Sequence, residues 1–302
     1  MISVIIPTYY AQDYLEKLLF ALSTQTLKDF ELIIIDSSST DKTVEIAQKY
    51  TSNVIIIPQS EFDHGGTRSK AGKIAKGEFL IYLTQDALPF DDFSLENALK
   101  VFANPNVSAC YGRQIAYEDS SLFGTHLRLF NYGTQSYIRD KDDISTYGLK
   151  TAFLSDSFAV YRRSSLEAIG WFKDGLILGE DTYAGAKMVL DGFSIAYVAD
   201  AKVYHSHSYS IMQEFKRYFD IGVFHAHEAW ILQSFGKAEG EGMKYVKSEI
   251  KYLLAQKAWY KLPEFIVRNA MKYLGYKMGQ KYKLFPLKVI KILSMHHRWW
   301  RT

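Results

Sequence analysis

The chain has 302 residues, enough for one large domain or for one domain with a smaller appendage. Hydrophobic residues make up 48% and charged residues 23%, as is typical of a globular protein. The single cysteine, Cys110, excludes an internal disulfide and fits a reducing compartment. No stretch reaches the ~18 uninterrupted apolar residues of a spanning helix. The first seven residues lack the basic start of a signal peptide, so we expect a cytoplasmic protein.

Charge is distributed unevenly along the chain. Residues 243–302 contain 14 Lys or Arg against two acidic residues, Glu249 and Glu264. The preceding 242 residues carry 22 basic and 31 acidic side chains. The formal net charge of +3 therefore conceals an acidic body joined to a strongly basic C-terminal part, which needs its own explanation.

The first half of the chain alternates short apolar runs with helical patterns. The apolar runs predict strands over residues 3–7, 31–36, 53–57 and 78–83. Helices are predicted on the spacing of Leu15, Leu18, Leu19 and Leu22, from a cap at Thr40 to Tyr50, and near residues 69–76. Strands buried on both faces and linked by helices predict an α/β fold with a mostly parallel, Rossmann-like central sheet flanked by helices.

Ligands of such sheets bind beyond the carboxyl ends of the strands, which here are residues 7–9, 36–39 and 84–86. After about residue 210 the pattern changes to long helices rich in aromatic residues and lysine. We therefore predict an α/β catalytic domain over 1–210 and a basic, aromatic-rich helical region over 211–302.

Two carboxylates, Asp36 and Asp86, close predicted strands. Asp36 precedes a turn of small residues and can accept a hydrogen bond from a pyrimidine ring N–H or a ribose hydroxyl. Capping of the next helix is an equally good interpretation. Asp86 can bind a hard cation such as Mg²⁺ or Mn²⁺, which prefers carboxylate and phosphate oxygens. Its alternative is a turn residue before Pro89.

An acidic pair, Glu180 and Asp181, opens a predicted helix that continues through Leu190. Such pairs are common because they complement the helix dipole. The functional interpretation is that Asp181 is a general base directed at the mouth of the sheet.

Two histidines, His205 and His207, follow a predicted strand over residues 195–198. In an extended strand they would point to opposite faces, so we do not expect both to ligate one metal. A structural role is the alternative, but one imidazole would complete a mixed oxygen and nitrogen site for Mn²⁺.

The loop over residues 63–68 contains two adjacent glycines and leads into a helix. Backbone amides at the helix N-terminus, together with Arg68, suit a phosphate group. The loop is not a P-loop, and no dinucleotide fingerprint follows the first strand, which weighs against an NAD enzyme.

In combination, these motifs resemble family 2 glycosyltransferases over roughly residues 1–210. The resemblance rests on residues 4–9, on Asp36 with its serine-rich turn, on Gln85-Asp86-Ala87 and on Glu180-Asp181, in that order. It implies a GT-A fold, in which a nucleotide-binding sheet is fused to an acceptor-side half.

Carried onto this sequence, the resemblance implies specific roles. Nucleotide-sugar binding falls to Pro7, Thr8, Tyr9, Asp36, Arg68, Gln85 and Asp86. The catalytic base is Asp181, and Mn²⁺ or Mg²⁺ is bound by Asp86 and His205, with His207 as the alternative ligand. Asp156 and Glu180 are assigned to the acceptor or donor sugar, although Asp156 is equally well a turn residue. Gln85 stands where the family has an aspartate, which leaves fewer charges on the metal.

A narrower resemblance involves residues 62–68, 84–89 and 215–222, which are similar to bacterial rhamnosyltransferases. Those enzymes build O-antigens and related cell-wall polysaccharides from dTDP-β-L-rhamnose. The resemblance implies an inverting, metal-dependent transfer of L-rhamnose to a hydroxyl of a growing, lipid-linked polysaccharide. The alternatives are a UDP-hexose-dependent enzyme of the same family and a non-catalytic nucleotide-sugar-binding scaffold.

The basic C-terminal region predicts amphipathic helices. One basic face comprises Lys244, Lys247 and Lys251, and another comprises Lys288, Lys291, Arg298 and Arg301, with Val289, Ile292, Leu293 and Trp300 opposite. Such helices lie in membrane interfaces, so we predict peripheral association with the anionic inner face of the cell membrane. The alternative is a helical subdomain with solvated lysines. We expect no nucleic-acid partner, because the region shows no recognisable module and the body is acidic.

Overall fold

A computed structural model describes residues 1–236 and 239–300. Its strands are β1 (Ile2–Thr8), β2 (Phe30–Asp36), β3 (Val54–Ile56), β4 (Phe79–Leu83), β5 (Leu88–Pro89), β6 (Val107–Ile115), β7 (Tyr137–Arg139), β8 (Phe158–Arg162) and β9 (Ser194–Tyr204). Its α-helices are α1 (Leu15–Thr24), α2 (Thr43–Gln48), α3 (His64–Ile74), α4 (Ser94–Lys100), α5 (Leu122–Asn131), α6 (Ile144–Tyr147), α7 (Arg163–Ala168), α8 (Glu180–Leu190), α9 (Ile211–His227), α10 (Ala229–Phe235), α11 (Glu239–Ala255), α12 (Leu262–Gln280) and α13 (Leu287–Leu293).

The chain divides into two compact units. The first comprises Met1–Tyr117, Tyr132–Gly175 and Glu180–Ser206 and contains the sheet. The second comprises Glu118–Asn131, Leu176–Gly179 and His207–Thr302 and is helical. The second unit thus contains two short segments from within the first 206 residues. A single boundary in the sequence does not describe this division.

The sheet has the order β3-β2-β1-β4-β8-β6-β9-β5, with β7 also paired to β9. The first four strands are mutually parallel, as the apolar runs predict. The second half is mixed, because β8 runs antiparallel to both β4 and β6 while β6 and β9 are parallel. The predicted α/β architecture is confirmed, and its parallel part is the half formed by β1 to β4.

Burial explains the continuous apolar strands. Val4, Ile5 and Ile6 on β1 are fully buried, as expected for a strand covered on both faces. The stripe of leucines predicted on α1 is also buried and packs into the same core.

Two helix starts differ from the predictions. α2 begins at Thr43 with no cap from Thr40, because the Asp41 carboxylate accepts the Thr43 N–H at 3.0 Å. α3 begins at His64, five residues before the predicted start at 69, because Asp63 caps it by accepting the Gly66 N–H at 2.7 Å.

Close contact between α9 and α12 organises the helical unit. A methyl group at Gly222 would collide with the carbonyl oxygen of Tyr276, and one at Gly279 would collide with that of Phe219. The glycines therefore let the two backbones approach closely. Within the described ranges, no helix has the combination of length and hydropathy needed to cross a bilayer.

The basic C-terminal segments differ in part from the predicted amphipathic helices. Lys244, Lys247 and Lys251 are exposed on α11. α13, however, ends at Leu293, where Ser294 adopts an extended conformation. Arg298 lies in a separate 3₁₀ turn, so it does not continue the face of α13, and Arg301 lies outside the described residues.

Candidate active site

The carboxyl ends of β1 and β2 form one polar cluster around Asp36. Its carboxylate is fully buried. Oδ2 accepts hydrogen bonds from Thr8 Oγ1 at 2.8 Å and from Ser39 Oγ at 2.7 Å, and Oδ1 accepts the Ser39 N–H at 2.7 Å. Asp36 is therefore held rigidly by the serine-rich turn, at the sheet edge where a ligand is expected.

Gln85 joins the ends of β1 and β4. Its Oε1 accepts the Tyr9 N–H at 2.8 Å, and its Nε2 donates to the Tyr9 carbonyl at 3.2 Å. A carboxylate could make only the first of these bonds, because it has no N–H to donate. The presence of glutamine instead of aspartate at position 85 thus has a structural reason. Of the two residues Gln85 and Asp86, only Asp86 remains a candidate metal ligand.

Asp86 and His205 meet at the end of β9. Asp86 Oδ2 lies 3.5 Å from His205 Nε2. His205 Nδ1 lies 2.9 Å from Gln114 Oε1, while Gln114 Nε2 donates to Ser155 Oγ at 2.8 Å. With Gln114 Oε1 as the acceptor, Nδ1 of His205 is the donor, and this hydrogen bond directs Nε2 toward the carboxylate.

A carboxylate oxygen and a histidine nitrogen, with the second ring nitrogen hydrogen-bonded, form a donor set that fits a divalent metal. The two ligand atoms lie 3.5 Å apart, close enough to share an ion. We expected His205 and His207 to point to opposite faces of an extended strand. That expectation does not apply, because β9 ends at Tyr204 and both histidines follow it. Sequence reasoning missed Gln114, whose role depends on the pairing of β6 with β9.

Asp181, in the first turn of α8, is the candidate base. Its Oδ1 accepts the Thr182 N–H at 2.6 Å, and its Oδ2 accepts the Asp156 N–H at 3.4 Å. Burial, and then the neighbouring charge of Glu180, raise the pKa of Asp181 to about 6. A carboxylate with that pKa is ionised at neutral pH and is a stronger base than an exposed aspartate.

A buried ion cluster lies beside this candidate base. Arg68 on α3 pairs through Nε with Asp156 Oδ2 and through Nη1 with Glu180 Oε1, both at 3.0 Å. All three side chains are less than 9% exposed. Tyr161 on β8, which sequence reasoning missed, donates to Asp156 Oδ1 at 2.6 Å. Burial raises the pKa of Asp156, and the positive charge of Arg68 counteracts part of this increase.

Three residues with predicted ligand roles are paired with one another in this cluster. The guanidinium of Arg68 is engaged by two carboxylates, and its binding of a phosphate stays a prediction. Asp156 and Glu180 are likewise paired within the cluster, and their contact with a sugar stays a prediction. Sequence spacing gave no signal for this cluster, because its members come from separate elements that only the fold brings together.

The two glycines at the start of α3 also have a structural role. A methyl group at Gly65 would collide with the carbonyl oxygen of Lys173. The N–H of Gly66 is taken by Asp63 Oδ1, while Asp63 Oδ2 accepts the Gly175 N–H at 2.9 Å. Close backbone approach, predicted for a phosphate, thus serves packing against the segment around residue 173.

Residues 3–170 match the model of "Glycosyl transferase family 2". The chain belongs to that family. Among its curated relatives, O-antigen chain rhamnosyltransferase WbaN of Salmonella anatum is 46% identical over 99% of this chain and 96% of the relative. O-antigen chain rhamnosyltransferase RfbN of Salmonella typhimurium is 41% identical over 100% of this chain and 96% of the relative. Family 2 membership confirms the predicted glycosyltransferase class.

The fold agrees with this family. A mannosyltransferase from Pyrobaculum calidifontis, solved in complex with GDP-Man and Mn²⁺, superimposes with a TM-score of 0.61 at 17% identity. The match covers 99% of this chain and 84% of that structure. The predicted GT-A fold with a helical C-terminal region is therefore confirmed.

Proposed function

We propose that this family 2 enzyme transfers L-rhamnose from dTDP-β-L-rhamnose, with inversion, to a hydroxyl of a growing O-antigen-type polysaccharide. The observation that carries the proposal is the similarity, over nearly the full length of both chains, to two O-antigen chain rhamnosyltransferases. The similarity extends over the helical region as well as the sheet. It therefore includes both parts of the chain, which supports a shared class of acceptor.

The nucleoside is proposed to bind at the ends of β1 and β2. Each oxygen of a carboxylate offers about two acceptor positions, so Asp36 retains capacity for the ring N–H of thymine beyond its bonds to Thr8 and Ser39. Pro7 and Tyr9 are the chain neighbours of Thr8, whose hydroxyl group donates to Asp36. The same arrangement would accept uracil, so a UDP-hexose donor remains the alternative that the experiment must test.

Asp86 and His205 are proposed to hold Mn²⁺ or Mg²⁺, with His207 as the alternative ligand. When bound, such an ion neutralises the diphosphate that leaves with the nucleotide. The contribution of this chain is the carboxylate of Asp86 and an imidazole whose tautomer is fixed by Gln114.

In the proposed reaction, the acceptor hydroxyl gives its proton to Asp181 while its oxygen bonds to the anomeric carbon. The bond between that carbon and the diphosphate breaks on the opposite face, so a β-rhamnosyl donor gives an α-rhamnoside. Two backbone N–H groups orient the Asp181 carboxylate. We assign Arg68, Asp156 and Glu180 to positioning, because their ion pairs connect α3 and the loop before β8 to the start of α8.

The test is a comparison of nucleotides followed by a turnover assay. dTDP with Mn²⁺ should raise the melting temperature more than UDP, and dTDP-rhamnose should be consumed in the presence of a lipid-linked acceptor. Asp181→Asn should lower kcat by at least about 100-fold, the scale of a lost general base, with unchanged dTDP binding. Preference for UDP would favour the hexose alternative, and binding without any turnover would favour the scaffold.

A lipid-linked acceptor would place the enzyme at the inner face of the cell membrane, and we propose that location. It is supported by the strongly basic composition of residues 243–302, since each Lys or Arg near an anionic surface contributes about 1 kcal/mol.

A further inference from the structure

Helix α12 departs from the usual surface pattern, because it buries two cations as well as Phe265 and Tyr276. Two of its cations, Arg268 and Lys272, point into the helical unit, where they are only 8% and 6% exposed. Arg268 pairs with Glu214 at 3.0 Å and with Glu264 at 2.8 Å, and Lys272 lies 3.4 Å from Glu214. An ordinary surface helix buries its apolar stripe and exposes its charges.

The outward side of α12 is largely apolar, and Lys277 on the same side places its Nζ 5.6 Å from the ring centroid of Tyr273. Ile266 and Tyr273, seven residues apart and therefore on one face, are 63% and 61% exposed. Val267 and Leu274 lie beside them and are 48% and 47% exposed. We call these four residues the outer α12 face. Scattered exposed apolar residues are normal, but a contiguous set marks an interaction site.

The turns that flank α12 continue this character. Trp259 and Tyr260, in the 3₁₀ turn that precedes it, are 69% and 62% exposed. Leu284, in the turn that follows it, is 76% exposed. Tryptophan and tyrosine are the side chains that favour the boundary between water and lipid, because they combine an apolar ring with a polar group.

The segments that flank α12 in sequence are basic. Lys257 precedes the helix, and Lys281, Lys283 and Lys288 follow it, all exposed. After Glu249 the sequence contains one acidic residue, Glu264, which is paired with Lys261 and Arg268. The charge that flanks the apolar face along the chain is therefore predominantly positive, which attracts an anionic surface and disfavours a second copy of the same surface.

We propose that the outer α12 face, with Trp259 and Tyr260, docks onto an anionic phospholipid bilayer. The helix has 19 residues, so it is about 28 Å long, and it would lie flat in the interface with the outer face inserted among the acyl chains. The lysines at both ends would contact the headgroups. The inference rests on the proposed function only in supplying a reason for membrane contact, namely a lipid-linked acceptor.

Vesicle sedimentation of the full chain tests the proposal. Vesicles of phosphatidylethanolamine and phosphatidylglycerol should bind the protein at least about tenfold more tightly than vesicles of phosphatidylcholine. Ile266→Ser combined with Tyr273→Ser should weaken binding at least about tenfold, because two inserted side chains are lost. Lys281→Gln with Lys283→Gln should weaken it by up to about 25-fold, at about fivefold for each lysine.

The matched apolar control is Phe20→Ser, which removes an equally exposed side chain, at 62%, from α1. Lys49→Gln is the charge control, because Lys49 is exposed on the sheet-containing unit. Neither control should change vesicle binding. Tryptophan emission provides a second measurement: vesicles should shift it to shorter wavelength, and Trp259→Phe should remove most of that shift.

Equal binding by the Ile266/Tyr273 variant and the wild type, with no change in Trp259 emission, would overturn the proposal. So would sedimentation equilibrium showing a dimer that the same variant dissociates, since the occupant would then be a second copy. Turnover of the donor nucleotide in solution should be unaffected by these variants. If the wild type did not turn over the donor at all, the proposed reaction would be refuted. The vesicle result would still stand, because it does not depend on turnover.

Discussion

Replacing Arg68 by methionine distinguishes a positioning role for this residue from phosphate binding. In the structure the guanidinium lies 3.0 Å from both Asp156 and Glu180, and all three side chains are buried. Methionine keeps much of the volume and removes the charge, so the two carboxylates would be left without their cation.

The magnitude follows from the two ion pairs. With charge centres about 4 Å apart and an effective dielectric constant of about 20, each pair contributes about 4 kcal/mol of Coulomb energy. Much of that gross energy offsets the cost of burying the charges. Removing one partner of a buried pair costs ~3–5 kcal/mol, and we expect Arg68→Met to lower the free energy of unfolding by this amount at about pH 8.

The loss should depend on pH. The charge of Arg68 lowers the pKa of Asp156 and of Asp181, so its removal raises both. A carboxyl whose pKa is higher in the folded than in the unfolded state favours folding at low pH, and this contribution is lost as pH rises through the folded pKa. The stability difference between wild type and variant should therefore be smaller at about pH 5 than at about pH 8.

Urea unfolding at both pH values measures these quantities. Lys100→Met is the control: it breaks an exposed pair with Glu96 at 3.4 Å and should cost less than about 1 kcal/mol at either pH. An equal loss for Arg68→Met at both pH values would show that its role is packing rather than charge. Unchanged stability with a raised KM for the donor would refute the positioning role and restore the phosphate-binding interpretation.

Three further predictions concern the same unit. The value of kcat/KM should fall on the acid side with an apparent pKa of about 6, because Asp181 must be ionised, and Glu180→Gln should move that limb to lower pH by removing the charge that raises it. Gln114→Met should weaken the apparent Mn²⁺ affinity about 10- to 100-fold, measured by titrating Mn²⁺ in the turnover assay, because His205 loses the acceptor that fixes its tautomer. Gly65→Ala should cost ~1–3 kcal/mol in urea unfolding, because its methyl group would enter a backbone carbonyl oxygen.

Local pattern was enough to predict much of the fold. The buried strands β1, β2 and β4 are continuous apolar runs, and α8 spans Glu180–Leu190 as expected from its acidic start. These features are predictable because burial on both faces and the helix dipole act on neighbouring residues. The order of Asp36, Asp86 and Asp181 on their elements likewise identified the family.

Tertiary structure decided which side chains meet. No spacing in the sequence indicates that Gln85 binds the backbone of Tyr9, or that Arg68 pairs with two carboxylates from distant elements. The partner with which a buried charged side chain pairs depends on its neighbours in three dimensions. Sequence analysis assigned Arg68 to a phosphate because a helix N-terminus ordinarily attracts one. The unusual surface of α12 has the same origin, since Arg268 and Lys272 are buried beside Glu214 on α9, which supplies an opposite charge.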